Sequence, residues 1–449
     1  MSSLLVAAKE FAKNLPGPVA RLVPYVPFSL RFGKPYTRSR QLIDEFDAFD
    51  VEQRKAFILE QMQRCVTDAY NEIPFYKQFY DDAGFSPESL KSWDDLQRIP
   101  VITKADIRDV PLEQRSRPSG GRMKINTGGT SGQPLEFFID GQAFAREWAH
   151  MHTIWERRNY KRTDLKLTLR GKNHGDLPMR YNPVHNELCV NATVERSRVA
   201  EAIREQIKKR PIKYVHGYPS AIYEFFEFLS AHDQELLEML QQSVQGVFYG
   251  SEFPAPMYRD AVNRSLKSND ISWYGHSEMC ILAGERDEPF VYEPFHTYGY
   301  CEAVPDESGR NRLIGTSYWN SAAPLIRYDT GDLIEPHYEA GLLQTFKVAE
   351  GRVGEFVTDA NGTRIPLTAL VFGRHHEVFS WAQFIQVYQP EPGKVDILVT
   401  VGEAAGDRTA ADATRDFDTS SVALEFEFHI RAAPVKTPAG KVPLLVKSL

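Results

Sequence analysis

Long apolar runs, paired cysteines and a strong charge excess of one sign are all missing from this 449-residue chain. No run reaches the ~18 apolar residues of a membrane-spanning helix, so none is expected. Only four cysteines occur, Cys65, Cys189, Cys280 and Cys301, far apart and without a CxxC pair. That usage fits reduced thiols in a cytoplasmic protein better than a disulfide framework or a thiolate zinc site. Lys plus Arg total 53 against 60 Asp plus Glu, a formal charge of -7, which argues against a dedicated nucleic-acid binder. No secretory leader is expected, because Lys9, Glu10 and Lys13 follow the short apolar run 4–8 at once. What is present is ordinary for a globular protein. Hydrophobic residues make up 42% and charged residues 25%, which excludes a disordered or fibrous chain. The length exceeds the ~250–300 residues of a single core and predicts two domains, or one large domain with a cap.

The first forty residues differ from the rest. Lys9, Lys13, Arg21, Arg31, Lys34, Arg38 and Arg40 face one acid, Glu10. The expectation is a basic arm, residues 1–50, folded onto the main domain, because prolines interrupt any long amphipathic helix. Contact with an anionic membrane surface is the other reading. Over 51–75 the pattern is helical, with Ile58, Met62, Val66 and Tyr70 at four-residue steps. Residues 214–219, 244–249 and 271–274 read as short strands ending in small-residue turns. Strands, turns and helices in alternation imply an α/β domain with ligand loops at strand ends. After Gly351 the texture changes. Residues 395–401 are β-prone, and Leu424, Phe426, Phe428 and Ile430 alternate with polar or small neighbours as in a half-buried strand. The last hundred residues therefore predict a small α+β domain, 351–449, after a large domain, 51–350. His375-His376 reads as surface.

The most chemical stretch is Thr127-Gly128-Gly129-Thr130-Ser131-Gly132-Gln133-Pro134. Glycines let several N–H groups point inward, and hydroxyls add donors, a nest suited to phosphate oxygens. It is not a Walker loop, since no GK[ST] follows. A surface hairpin of small residues is the bland alternative. Two further turns stand at strand ends, Gly250-Ser251-Glu252 and Tyr274-Gly275-His276-Ser277-Glu278. In the second, an aromatic ring offers a stacking face and a carboxylate offers a hard oxygen ligand.

These motifs occur in an order that resembles the phenylacetate–CoA ligase-like family of the adenylate-forming superfamily. Ile73-Pro74-Phe75-Tyr76 and Ile99-Pro100-Val101-Ile102-Thr103-Lys104 resemble its N-terminal region. The glycine-rich octapeptide resembles its phosphate loop, with Leu135 where many members carry Lys. Pro324-Leu325-Ile326-Arg327-Tyr328-Asp329-Thr330-Gly331-Asp332 resembles its most specific motif. Gly351-Arg352-Val353-Gly354-Glu355 stands at the hinge motif, with Glu355 for the usual Asp. Pro434-Val435-Lys436-Thr437-Pro438-Ala439-Gly440-Lys441 resembles the tail that carries the adenylation lysine.

The resemblance implies a large adenylate-forming domain followed by a small, mobile one. It implies ATP and Mg²⁺, with Thr127, Gly128, Gly129, Thr130, Ser131 and Gly132 on phosphate, and Gly250, Ser251, Glu252, Tyr274 and Gly275 around adenine. Ser277 would meet the α-phosphate, Glu278 the metal, Asp332 the ribose, Arg352 a ribose or phosphate oxygen. Lys441 would assist adenylation. The implied reaction joins a carboxylic acid to AMP with release of pyrophosphate, then transfers the acyl group. The departures at Leu135, Arg286 and Glu355 resemble the capsular-polysaccharide branch, whose acceptor is an amine or hydroxyl. Acid–thiol ligation with coenzyme A is the alternative, and a non-catalytic nucleotide-binding assembly protein is a reading of another class. Arg286 stands where several relatives have Cys, so no structural zinc is expected.

Overall fold

The computed structural model describes residues 17–118, 122–126, 135–172, 174–350, 356–362, 364–371, 376–402, 406–420, 422–437 and 442–449. The chain forms two compact units. One comprises Met1–Thr163, Asn182–Asn186 and Ile271–Val348, the other Asp164–Tyr181, Glu187–Asp270 and Ala349–Leu449. The units thus interleave along the sequence.

In the first unit, the helix expected over 51–75 is Val51–Glu72, with Ile58, Met62 and Val66 buried on one face. Asp50 starts it by reciprocal capping. Its carboxylate accepts from the Gln53 N–H at 2.8 Å, and the Gln53 side chain accepts from the Asp50 N–H at 2.9 Å. Pro74 then takes the first position of the next helix, Pro74–Asp82, where a missing N–H costs nothing. From Gly17 onward, the basic arm forms short helices and a longer one, Lys34–Ala48. Phe28 and Tyr36 pack against Ala145 and Ala149 of the helix Ala143–Glu156, and Arg40 reaches the Glu156 carboxylate at 2.7 Å. The strands Gly299–Pro305, Asn311–Ser317 and Tyr328–Glu339 are antiparallel neighbours, as are Asn269–Gly275, Leu282–Glu285 and Tyr292–Pro294.

The second unit holds the parallel strands. Gly246–Tyr249, Tyr214–Gly217, Lys166–Lys172 and Glu187–Asn191 lie side by side in that order. Tyr214–Gly217 and Gly246–Tyr249 are buried at every residue, as parallel strands covered on both faces require. Helices Pro219–His232 and Pro256–Leu266 join their core. The C-terminal segment adds a four-stranded sheet in the order Glu425–Arg431, Lys394–Val401, Ala382–Tyr388, Leu445–Val446. Its own core runs from Val357 to Phe428 and includes Leu370, Ile397, Val399 and Ala413.

Two local expectations are corrected. His376 is buried, not on the surface. Its Nε2–H donates to the Leu370 carbonyl at 3.0 Å, its Nδ1 accepts from the Asp418 N–H at 2.8 Å, and its ring stacks on Phe417 at 3.7 Å. His375 lies outside the described residues. Ile430 is 36% exposed, so the buried face of its strand stops at Phe428.

Two other histidines carry pH information. His150 is fully buried and donates from Nδ1 to the Arg146 carbonyl at 2.8 Å, which leaves Nε2 to accept from the Thr297 hydroxyl at 3.0 Å. His296 donates from Nε2 to the Leu343 carbonyl at 2.8 Å. Burial pushes both imidazoles down to about 4. They stay neutral in the folded protein and take up protons on unfolding, so the stability they confer is full above pH ~6.5 and drains away toward pH 4. The urea midpoint should therefore fall between pH 7.5 and 5. His150→Gln should start about 1–2 kcal/mol lower and fall less steeply. Equal pH slopes in the two proteins would remove His150 from this account.

Candidate active site

In the first unit, the strand Asn269–Gly275 ends in the turn that carries Tyr274, Gly275, Ser277 and Glu278. Its register is fixed by pairing Tyr274 with Ala283 and Gly275 with Leu282. Below the turn, the buried Glu285 carboxylate accepts from the N–H groups of Ser272 at 2.7 Å and Phe290 at 2.6 Å. Met279 adopts a left-handed φ of 53° and its N–H returns to the His276 carbonyl at 3.1 Å. That tight reversal leaves Ser277 exposed and turns Glu278 inward to 8% exposure. A Glu278 carboxylate oxygen lies 3.3 Å from His276 Nδ1. The Tyr274 ring meets Phe346 edge to face at 5.4 Å, and its hydroxyl donates to the Asp332 carboxylate.

Asp332 sits where the strand Tyr328–Glu339 is irregular against Asn311–Ser317. The irregularity re-aims the chain, as bulges do beside functional sites. Three contacts hold it. Arg312 reaches the Asp329 carboxylate at 2.8 Å, the other Asp329 oxygen accepts from the Gly331 N–H at 2.9 Å, and the Thr330 hydroxyl donates to the Leu313 carbonyl at 2.8 Å. Gly331 has φ 79°, a conformation glycine adopts without a side-chain clash. Asp332 itself is 6% exposed. One carboxylate, aligned by a neutral phenol, can accept hydrogen bonds from a pair of vicinal hydroxyls. A second, Glu278, offers hard oxygen atoms beside the exposed Ser277.

In the second unit, Gly250, Ser251 and Glu252 follow the strand Gly246–Tyr249. The Gly250 N–H donates to the Gly217 carbonyl at 3.1 Å. Gly217 itself is required, since a Cβ there would stand 2.0 Å from the Leu169 carbonyl oxygen. Ser251 is left-handed, with φ 69°. Glu252 turns its carboxylate to the first turn of the helix Pro219–His232, accepting from the Ser220 hydroxyl at 2.7 Å and N–H at 3.2 Å, where the helix dipole favours an anion. Arg170, at the carboxyl end of its strand, donates to the Ser251 hydroxyl at 3.1 Å.

The structure thus brings Tyr274, Gly275, Ser277, Glu278 and Asp332 together in one unit, and Gly250, Ser251 and Glu252 in the other. Thr127, Gly128, Gly129, Thr130, Ser131, Gly132, Arg352 and Lys441 lie outside the described residues. The flanks of the lysine motif are described. The buried Gln386 amide donates to the carbonyls of Val435 at 2.9 Å and Pro443 at 2.7 Å, pinning the tail on both sides. Sequence reasoning passed over Gln386 and Arg170. The only signal for Arg170 was a charge directly before a glycine at the end of an apolar strand. Burial raises the thiols of Cys280 and Cys301 far above their ordinary range, so neither presents a thiolate.

No family model matches the chain. The phenylacetate-coenzyme A ligase of Thermus thermophilus is 26% identical over 328 residues, 66% of this chain and 68% of that one. Protein CapK of Staphylococcus aureus is 21% identical over 288 residues, 62% of this chain and 63% of the relative. Among solved structures, a 2-hydroxyisobutyryl-CoA ligase in its postadenylation state has a TM-score of 0.66 at 16% identity, covering 89% of this chain and 90% of that one. The acyl acid amido synthetase GH3.15 has a TM-score of 0.56 at 11% identity, covering 83% and 85%. The chain is thus similar in sequence to phenylacetate-coenzyme A ligases and to CapK, and its fold is that of the solved ligase structures.

Proposed function

We propose that the protein joins a carboxylic acid to the α-phosphate of ATP and then passes the acyl group to an amine or hydroxyl acceptor, with the thiol of coenzyme A as competitor. The observation that carries the first half is the pair of inward carboxylates, Asp332 under the Tyr274 hydroxyl and Glu278 beside Ser277. Asp332 accepts the ribose hydroxyls, and the Tyr274 ring stacks on adenine. In the acid-activating step a carboxylate oxygen bonds to the α-phosphorus while the bond to the β-phosphate oxygen breaks and pyrophosphate leaves. Two anions must approach, so positive charge and N–H donors are needed around the phosphate. The glycine-rich loop at 127–132 and Lys441 supply them, and Arg352 contacts ribose or phosphate.

The donor set around Glu278 fits Mg²⁺, since a carboxylate oxygen is a hard ligand and no thiolate competes. Bound there, Mg²⁺ would offset charge on the phosphates. Residues 351–449 act as the small mobile domain that carries Lys441. In the second step the acceptor attacks the acyl carbon, the bond to AMP breaks, and the acceptor's proton leaves with it.

Two substitutions test the first step. Lys441→Ala should abolish pyrophosphate exchange while ATP affinity by calorimetry stays near wild type. Asp332→Ala should weaken ATP by about 1.5–3 kcal/mol, the usual cost of losing hydrogen bonds to a charged group. Normal exchange in the first variant would move the catalytic lysine, and unchanged affinity in the second would move the ribose site.

The acceptor is tested separately. The names of two relatives point different ways, one a coenzyme A ligase and one an amido synthetase. The departures at Leu135, Arg286 and Glu355 and the likeness to CapK favour the amine or hydroxyl. Pre-formed acyl-AMP should be consumed faster with an amine than with coenzyme A. Rapid, saturable appearance of acyl-CoA would reassign the enzyme to acid–thiol ligation.

We further propose that the N-terminal arm makes a peripheral contact with an anionic membrane. Val19, Leu22, Tyr25, Val26 and Leu30 are 42–74% exposed within one short stretch. Arg21, Lys34 and Arg38 are exposed beside them, and no acid occurs between Glu10 and Asp44. Apolar side chains with flanking cations suit an anionic interface. The full chain should sediment with phosphatidylglycerol vesicles and not with phosphatidylcholine ones, and Leu22→Ser with Leu30→Ser should release it. Equal behaviour toward both vesicles would end this reading.

A further inference from the structure

The C-terminal sheet turns one face of its strands into the small core. Val395, Ile397 and Val399 of the strand Lys394–Val401 lie in that core, and so does Phe428 of the strand Glu425–Arg431. Side chains change sides at every step of a strand, so Asp396, Glu427 and His429 share the opposite face. The two strands run parallel, with Asp396 opposite Glu427 and Leu398 opposite His429. An acid of one strand therefore meets an acid and an imidazole, two positions apart, on the next.

Two carboxylates placed opposite each other repel. Among the described residues neither Asp396 nor Glu427 has a lysine or arginine partner, and the neighbouring Lys394 pairs with Glu391 at 2.7 Å. What faces both acids is His429. Its Nε2 stands 3.6 Å from an Asp396 oxygen and 3.7 Å from a Glu427 oxygen, and the three ligand atoms lie within 4.8 Å of one another. Those separations are too long for hydrogen bonds. They approach the ~3.3–3.6 Å that separates ligands sharing one ion at ~2.0–2.1 Å. A second observation agrees. The Nε2 atom is shielded from solvent and has no hydrogen-bond partner. A ring nitrogen left dry and unmatched between two like charges costs stability, and a cation between the three groups removes both costs.

We propose that Asp396, Glu427 and His429 bind one divalent transition-metal ion of the zinc class. The donor set selects it. One imidazole nitrogen with two carboxylate oxygens suits Zn²⁺ and its neighbours, whereas Mg²⁺ and Ca²⁺ take oxygen ligands. Asp396 is mostly buried and Glu427 is exposed, so the ion enters past Glu427, and a fourth position is left for water. The strand Glu425–Arg431 is the edge of its sheet, and the ion ties that edge to the neighbouring strand. The site is separate in sequence from the residues assigned to ATP, and the inference does not depend on the ligase reading.

The full chain, stripped with EDTA, is titrated with Zn²⁺ by calorimetry. A saturable site is expected that Mg²⁺ in about hundredfold excess does not displace. His429→Gln should weaken it by about tenfold or more. Glu427→Gln should do the same, and because Glu427 is exposed this variant keeps its fold. Zn²⁺ should raise the melting temperature of wild type and of neither variant. Co²⁺ in place of Zn²⁺ should give visible d–d absorption that His429→Gln removes. In EDTA, Glu427→Gln should melt no lower than wild type, since it takes away a like charge. Equal Zn²⁺ affinity in wild type and both variants would put the ion elsewhere and overturn the proposal. Displacement by Mg²⁺ would also overturn it, by making the cluster a carboxylate site for hard cations. A Glu427→Gln protein that melts lower than wild type in EDTA, with Zn²⁺ leaving both unchanged, would make the cluster an ion triad without metal.

Discussion

The first unit is organised around one buried ion pair. The Arg327 guanidinium meets both oxygens of Glu302, at 2.7 and 3.1 Å, and its remaining nitrogen donates to the carbonyls of Gln97, at 2.9 Å, and Ile99. Arg327 is 4% exposed and Glu302 7%. Such a pair contributes little by mere attraction, because desolvation offsets it, but removing one partner typically costs about 3–5 kcal/mol. Its value here is positional. The backbone of Arg327 accepts from the Ile102 N–H at 3.0 Å, and the Ile102 carbonyl accepts from the Asp329 N–H at 2.8 Å. Two motifs far apart in sequence, at 99–102 and 324–332, are thereby stitched together. The stretch that aims Asp332 is clamped at its start.

Carboxylates in this unit divide by what satisfies them. Glu285 receives backbone N–H groups on both oxygens, and Glu302 receives a guanidinium on both. Those charges are spent on structure. Asp332 accepts from a phenol hydroxyl, that of Tyr274. Glu278 stands next to an imidazole at a turn whose neighbour Ser277 faces outward. A nearly buried carboxylate is expensive for folding unless hydrogen bonds hold it, and here a phenol and a tight turn do the holding.

The turns at Tyr274–Glu278 and Asp329–Asp332 stand out in the sequence because their pattern is local. Each holds its residues in a run short enough for residue type and spacing to carry the meaning. The helix Val51–Glu72 was legible for the same reason, since its buried face repeats within the segment. What could not be read depends on partners remote in sequence. Arg170 looks like a solvated strand end until Ser251, eighty-one positions later, stands beside it. His376 looks like surface in a polar run, but Phe417 provides the ring that buries it. Gln386 gives no sign in its strand that it pins the tail at Val435 and Pro443. Nor does periodicity disclose that the two units interleave, because each strand pattern is satisfied by any compatible neighbour.

Backbone strain follows the same division. Ser251, Met279 and Arg327 all hold positive φ without being glycine, at 69°, 53° and 47°, and all lie in the motif turns. A non-glycine residue in that region is held only where other contacts outweigh its cost. For Arg327 the compensation is the buried ion pair. For Met279 it is the return bond to His276 and the buried Cys280 that follows. For Ser251 it includes the Gly250 bond to Gly217 and the grip of Arg170. The first two compensations lie wholly inside the protein. The third joins a neutral hydroxyl to a cation near the end of a strand, so the strained turn and the strand end hold each other.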